Sequence, residues 1–387
     1  MISNRLFHGN SNLVLLVMGA LTLYMSHRTG FITILSLYCI LIFCVVPVRR
    51  YIDGLGIWVI AFTITFTFIG VATGLINSLS TAIAYTIPLP FFYVLGRYIQ
   101  HESQSNKVTL YIVAFVILFY SLEIYLSIFK NIVSTGSIIN ASRLFYFEGN
   151  ESRKLTATLV GLAASLGFAG LPMFAILKGD KVIRLFYFLL FLSSLITTIN
   201  LVNRTGLVVW VFSFMLPVLY FYKRSRFKLI IIFCICFILI GIMISTGIIS
   251  QEVISAYSER NELDLQTGGG RLEKWSSALL HIFSSPFGWA ENNGTTNMFV
   301  HNMWLDVAKV TGIIPFFILL VSTVKSIKTV VKLSKFQVNE VVACFISLNI
   351  CFFLSCFVEP VYGGMHMFLY VMIWGMQNQY LQQISSL

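Results

Sequence analysis

The sequence predicts an all-α protein that threads a membrane through about twelve helices. Three observations carry that expectation. Of 387 residues, 57% are hydrophobic and only 11% charged, with a mean hydropathy of +0.85; a soluble domain carries about a quarter charged residues. Apolar runs of about 20 residues recur from end to end, each long enough to cross the ~30 Å hydrocarbon core. Basic residues also collect in alternate connections, the pattern that sets the orientation of a membrane protein.

Cutting the chain at its polar interruptions places spans near 11–26, 31–47, 55–77, 79–96, 108–128, 155–177, 185–202, 206–222, 229–249, 303–323, 340–358 and 362–382. The first follows Arg5 without a small-residue cleavage site, so it is expected to remain as a helix rather than be removed as a signal peptide. With the N-terminus cytoplasmic, the first four inner connections hold Arg5, Arg49, Arg50, Arg97, Lys107, Lys178, Lys181 and Arg184. The next two hold Lys223, Arg224, Arg226, Lys228, Lys325, Lys328, Lys332 and Lys335, which brings the inner total to sixteen of 26 Lys and Arg residues. The net charge of +11 therefore reflects topology, and no nucleic-acid partner is implied. Both termini are then cytoplasmic, 129–154 and 250–302 face outward, and 1–387 forms a single polytopic domain in contact with membrane lipids.

The seven cysteines all fall in expected spans, which indicates neither a disulfide framework nor a zinc site. Cys234 and Cys236, two apart on a helix, read as packing residues. The outer segment 129–154 is aromatic and of mixed charge, suited to an ordered cap at the membrane interface.

The long outer segment 250–302 concentrates the polar chemistry. Residues 251–270 are polar and end in Gly268, Gly269 and Gly270, a flexible approach with no core of its own. Residues 271–283 put Leu272, Trp275, Leu279 and Ile282 at helical spacing, with Lys274, Ser277 and His281 on the other side. That pattern predicts a short amphipathic helix lying on the bilayer with Trp275 as anchor. Pro286 and Gly288 end it. The glycine run is not a nucleotide loop, since no Gly-Lys-Ser/Thr follows. It lets Arg271 approach a ligand at a helix N-terminus, where free N–H groups favour an anion.

Arg271 is the strongest candidate for chemistry, because a guanidinium offers a fixed fork of donors to phosphate oxygens; the bland alternative is a solvated or headgroup-binding arginine. Arg204, in Asn203-Arg204-Thr205-Gly206, sits near the hydrocarbon boundary. A charge at mid-helix costs roughly 2.5–3.5 kcal/mol and less near an interface, so its alternative is a snorkelling loop arginine. His301, at the start of the tenth span, has the side chain best matched to proton transfer near neutral pH, or is a helix cap. Asp306 follows about 140° further around the helix and is expected to pair with Lys309 rather than orient His301. Glu123, within the fifth span, needs a polar partner. The loop acids Glu259, Glu262 and Asp264 are a weak signal for hydrolysis.

Arg204 at an outer helix end, Gly270-Arg271 with Trp275, Pro286-Phe287-Gly288, His301-Asn302 and then Gly312 together resemble the O-antigen ligase and O-antigen polymerase superfamily. The run His-Asn-Met-Trp-Leu-Asp to Gly-Ile-Ile-Pro over 301–315 looks most like enterobacterial O-antigen polymerases. The layout, with a large periplasmic loop before the third-last helix, is similar across nearly the whole chain. The resemblance implies a GT-C-like fold and an inverting, metal-independent glycosyltransferase with no cofactor. Such an enzyme acts at the periplasmic face of the bacterial inner membrane on undecaprenyl diphosphate-linked oligosaccharide. By the same resemblance Arg204 and Arg271 hold the diphosphate and His301 activates the acceptor hydroxyl or assists at the phosphate. Trp275, Asn302 and Glu359 are candidate substrate contacts, and a chain-length regulator protein is admitted as a partner. The physics agrees: two arginines stabilise charge growing on the departing diphosphate, and the acceptor hydroxyl needs a base.

The chain departs from the pattern in having few further arginines before Arg271. If His301 is only structural, the base is Glu359, His366 or a loop acid. Glu359, at the outer turn before Pro360, equally reads as holding a sugar hydroxyl or an arginine, or as a plain turn acid. A ligase, which transfers the glycan to lipid A–core, and a capsule polymerase would use the same chemistry. A flippase for lipid-linked sugars is the alternative from another class; it predicts internal repeats, broken helices and midplane charges, whereas the polar residues here gather in one outer loop.

Overall fold

The structure is a computed structural model that describes residues 3–28, 30–103, 105–139, 144–147, 150–222, 255, 258, 271–290, 300–359 and 364–386, with only the backbone path over 3–10 and 144–159. The helices run α1 (Ser3–Tyr24), α2 (Phe31–Val45), α3 (Gly54–Ala72), α4 (Leu79–Thr86), α5 (Pro88–Glu102) and α6 (Asn106–Thr135). A hairpin, β1 (Leu144–Phe147) and β2 (Asn150–Thr156), leads into α7 (Ala157–Ser165), α8 (Gly170–Ile176), α9 (Lys181–Asn200) and α10 (Arg204–Phe221). Then come α11 (Arg271–Ser284), α12 (Met303–Thr311), α13 (Ile313–Phe336), α14 (Glu340–Val358) and α15 (Met365–Ser385).

Among the described residues seven helical segments are long and apolar enough to cross a membrane: 54–72, 79–102, 106–135, 181–200, 204–221, 313–336 and 340–358. The protein is thus a helical membrane protein. Shorter apolar helices cover 11–27, 31–45 and 160–176. The span expected at 229–249, with Cys234 and Cys236, lies outside the described residues, as do the loop acids Glu259, Glu262 and Asp264 and the glycines at 268–270.

Three expectations are corrected. The tenth span, expected over 303–323, breaks at Gly312, and the membrane-length helix starts at Ile313. The sixth, expected over 155–177, is interrupted by a tighter turn at Leu166–Ala169. Part of 129–154 is strand: β1 and β2 pair antiparallel, Leu144 opposite Thr156 and Phe145 opposite Leu155, with a register shift after Tyr146.

The described residues fall into two compact units, one of Met1–Tyr120, Glu273–Phe336 and Cys356–Leu387, the other of Ser121–Leu272 and Gln337–Ser355. In the first, α15 is the central helix, buried at every residue over 365–377. It packs along α5, and α13 packs along α3. Trp374, Tyr93, Tyr370 and Phe92 are fully enclosed. In hydrocarbon, apolar helices gain little from leaving water, so packing and polar links hold them together.

Asp53 supplies such a link. Its carboxylate caps α3 by accepting from Leu55 N at 3.0 Å and Gly56 N at 2.9 Å. The same group meets Arg97 at 2.7 Å, Tyr93 Oη at 2.8 Å and Asn378 Nδ2 at 2.5 Å. Arg97 also donates to Gln379 Oε1 at 3.1 and 2.7 Å and to Gln382. Arg97, expected in a loop, is therefore inside α5, its side chain 5% exposed, because Asp53 and two glutamines replace water around the guanidinium.

The second unit packs α9 on α8 and α10 on α8, around the enclosed rings of Tyr187, Phe168, Phe345 and Phe352. Hydroxyls bridge its helices: Ser165 to Ser355 at 2.9 Å, Tyr125 to Ser194 at 2.7 Å, and Ser347 donating to Ser213 O at 2.9 Å.

Candidate active site

The first unit builds a site around His301. This residue has φ +60°, a left-handed backbone that costs a non-glycine residue about 1–3 kcal/mol and persists only where its surroundings impose it. Asp306 imposes it. Its Oδ1 accepts from Val300 N at 2.6 Å and its Oδ2 from Asn302 N at 3.2 Å, so one carboxylate grips the chain on both sides of His301. The Trp275 indole donates to Val300 O at 3.0 Å. Asn302, the N-cap of α12, accepts from Leu305 N at 3.2 Å and donates through Nδ2 to Phe357 O at 3.0 Å.

That last bond fixes the neighbourhood of Glu359. Phe357 also takes the Trp275 ring edge-on, with centroids 5.0 Å apart. Glu359 Oε2 then lies 3.5 Å from His301 Nδ1, with side chains 10% and 33% exposed respectively. This is ion-pair range, longer than the ~2.7–2.9 Å of a charge-assisted hydrogen bond, and such contacts commonly tighten once substrate is bound. A carboxylate facing Nδ1 leaves Nε2 as the nitrogen that takes a proton, the arrangement of an oriented base.

Sequence reasoning placed Asp306 as a partner of Lys309 with no part in orienting His301. The charge of Lys309 does act on Asp306, and Asp306 also holds the backbone on both sides of His301. The fully buried carboxyl is pushed up to about 6 by that burial, against the pull of the two N–H bonds and of His301 and Lys309. Trp275 and Asn302 are braces as well: the indole is turned inward rather than out to the bilayer as an anchor, and both ends of the Asn302 amide are engaged within the protein.

The helix expected over 271–283 is α11; of the four residues expected on its bilayer side, Leu272 and Leu279 are exposed while Trp275 and Ile282 turn to the protein. Ala278 and Ile282 are buried and pack with Trp275 against Val300, Leu305 and Ala308. Leu272, Leu279, Leu280 and Phe283 stay exposed, as an apolar stripe. His281 lies outside this core, bonded to Ser277 O at 2.7 Å and stacked on Trp289 at 5.7 Å. After α11 the Pro286-Phe287-Gly288 turn docks on the end of α12: Ile313 N donates to Pro286 O at 3.0 Å and Trp289 N to Lys309 O at 2.8 Å. Gly312 has φ +84°, and a Cβ there would lie 1.9 Å from Pro286 O. No other residue type fits that joint.

The second unit brings together Arg204 and Arg271. Each is the first residue of its helix, α10 and α11. Asn203 caps α10, accepting from Gly206 N at 3.2 Å. The Arg271 charge acts on the Arg204 guanidinium, so the two groups lie within Coulombic range of one another. Two cations at two helix N-termini make a local positive field suited to an anion.

His366, the other candidate base, is 3% exposed and its ring meets that of Tyr120 at 6.1 Å, an interior position ill suited to reaching an acceptor. Among the described residues no three His, Cys, Asp or Glu side chains gather as a metal-ligand group. No protein-family model matches the chain, and no curated protein matches it in sequence.

Proposed function

We propose that the protein is an O-antigen polymerase. On this reading it transfers undecaprenyl diphosphate-linked oligosaccharide units onto one another at the periplasmic face of a bacterial inner membrane, through a GT-C-like bundle of twelve helices with both termini cytoplasmic. The observation that carries the proposal is the juxtaposition of Arg204 and Arg271, each on a helix N-terminus. A diphosphate leaving group gathers negative charge as the sugar departs, and a pair of guanidinium groups is suited to stabilise it. The forked donors of arginine match its oxygens.

The sugar is expelled from diphosphate as the acceptor hydroxyl attacks its anomeric carbon, with inversion. His301 takes the hydroxyl proton at Nε2, and Glu359 holds the imidazole in the tautomer that can accept it and steadies the imidazolium. Asp306, Asn302 and Trp275 fix where His301 stands. Positioning together with charge stabilisation on an already anionic leaving group supplies the catalysis.

The test is a lipopolysaccharide gel from a bacterium deleted for this chain and complemented with wild type or Arg271→Ala. Loss of the ladder, with one repeat unit left on lipid A–core and no rescue by Arg271→Ala, is the expected result. Bare core with glycan stranded on the carrier would make the enzyme a ligase. An unchanged ladder would overturn the reading.

A further inference from the structure

The far end of α13 carries a second concave surface, wholly within the first unit. A cleft of about 710 Å³ opens between α3, α13 and α15, within the size range of small-ligand sites. Its polar wall holds Lys325, Lys328 and Lys332 with Asp53, Asn378 and Gln382. The lysines recur at i, i+3 and i+7, so they share a helix face. Asp53 is the acid in this wall, and its charge is already met by Arg97 at 2.7 Å, which leaves the three ammonium groups as the surplus charge of the cleft.

The cleft is graded along its length. Leu320, Val321 and Val324 line it on the side nearer the start of α13, from Leu320 about two turns before Lys328 to Val324 next to Lys325. Lys332 lies about 29 Å from the start of α13 at 1.5 Å per residue, so the apolar part faces the bilayer interior and the lysines face its surface. Apolar wall, then basic wall, is the sequence of chemistries that a phospholipid presents from acyl chain to phosphate. The positive-inside pattern puts this end at the cytoplasmic leaflet, whose surface is anionic.

We infer that this cleft is a binding site for an anionic phospholipid, with the phosphate on Lys325, Lys328 and Lys332 and an acyl chain along Leu320, Val321 and Val324. Lysine is suited to this as a compact charge on a flexible stem that can follow a mobile headgroup. Lys325 is anchored by resting over the Trp58 ring at 5.6 Å. The site is independent of the catalytic proposal, and either can fail alone.

Native mass spectrometry of the full-length protein in non-ionic detergent tests it, with phosphatidylglycerol and phosphatidylcholine of matched acyl chains as probes. Each lysine near an anionic lipid is worth about fivefold in affinity, so Lys328→Gln with Lys332→Gln should weaken phosphatidylglycerol binding about 25-fold. Phosphatidylcholine binding should be unchanged. Lys335→Gln, on the same helix but outside the cleft, should have no effect. If the double variant does not fold, each single variant should show the fivefold loss. Equal binding of the two lipids by wild type, or an unchanged affinity for phosphatidylglycerol in the lysine variants, would overturn the site. An equal loss in Lys335→Gln would reduce it to general surface charge and overturn it too. Displacement of the lipid by inorganic phosphate alone would assign the lysines to a soluble anion and overturn the lipid assignment.

Discussion

Asp306 determines where His301 stands, and it does so from a buried position with an unusual titration. Its pKa of about 6 in the folded protein exceeds the 3.8 of an unperturbed aspartate. Between those values the fold holds a proton that the unfolded chain has lost. The contribution of this group to stability is therefore greatest below about pH 4 and declines as pH rises through about 6. Thermal unfolding in detergent should show that decline in wild type and not in Asp306→Asn, whose side chain cannot titrate; parallel curves would contradict the assignment. His301 itself is best probed by His301→Asn, since asparagine tolerates the left-handed backbone. Glycan transfer should fall about 10²–10⁴-fold, the usual worth of a positioned base, with the melting temperature little changed. Glu359→Gln should cost less, because it impairs the orientation of the ring and leaves the ring in place. Activity retained in both variants would remove the base from the mechanism.

At the scale of elements, the joint between the Pro286 turn and the start of α13 converts a sequence motif into a shape. The φ of +84° at Gly312 and the 1.9 Å approach to Pro286 O mean that Gly312→Ala should destabilise the protein by at least the about 1–3 kcal/mol of backbone strain. Limited proteolysis should then cut near 285–290 faster than in wild type, and equal cleavage rates would contradict the joint. The helix at 271–284 was legible in the sequence because a 3.6-residue period survives without context; His301, Arg204, Arg271 and Glu359 drew notice because charged or titratable residues stand out in an apolar chain. That Trp275 and Ile282 of α11 turn to the protein while Leu272 and Leu279 do not was not legible. Leu272 and Leu279 fit an apolar face as well as Ala278 does, and only the docking of Val300 and Leu305 decides which side is covered. The backbone grip of Asp306 was missed for a related reason: helical spacing pointed to Lys309, whose charge does act on it, while the N–H groups it also accepts from leave no trace in a pattern of side chains.

At the scale of the whole molecule, the long apolar helices were legible because membrane thickness imposes them on composition. The Asp53–Arg97 network was not, since a charge one residue past the end of an expected span reads as a loop residue until its partner on another helix is known. Removing one member of a buried pair costs about 3–5 kcal/mol. Arg97→Leu should accordingly lower the unfolding temperature in detergent well beyond Lys335→Gln, and Arg97→Leu with Asp53→Asn should recover part of the loss; no difference between Arg97→Leu and Lys335→Gln would show that the network carries no stability. The central claim, that a pair of arginines stabilises a departing lipid diphosphate, is tested most directly with purified protein and undecaprenyl diphosphate-linked oligosaccharide. Wild type should release undecaprenyl diphosphate as the lipid-linked glycan lengthens. Arg204→Ala and Arg271→Ala should do neither, and Arg271→Lys should be a poor substitute because it loses the forked donors. Full turnover by the alanine variants, or no diphosphate release by wild type, would contradict the account.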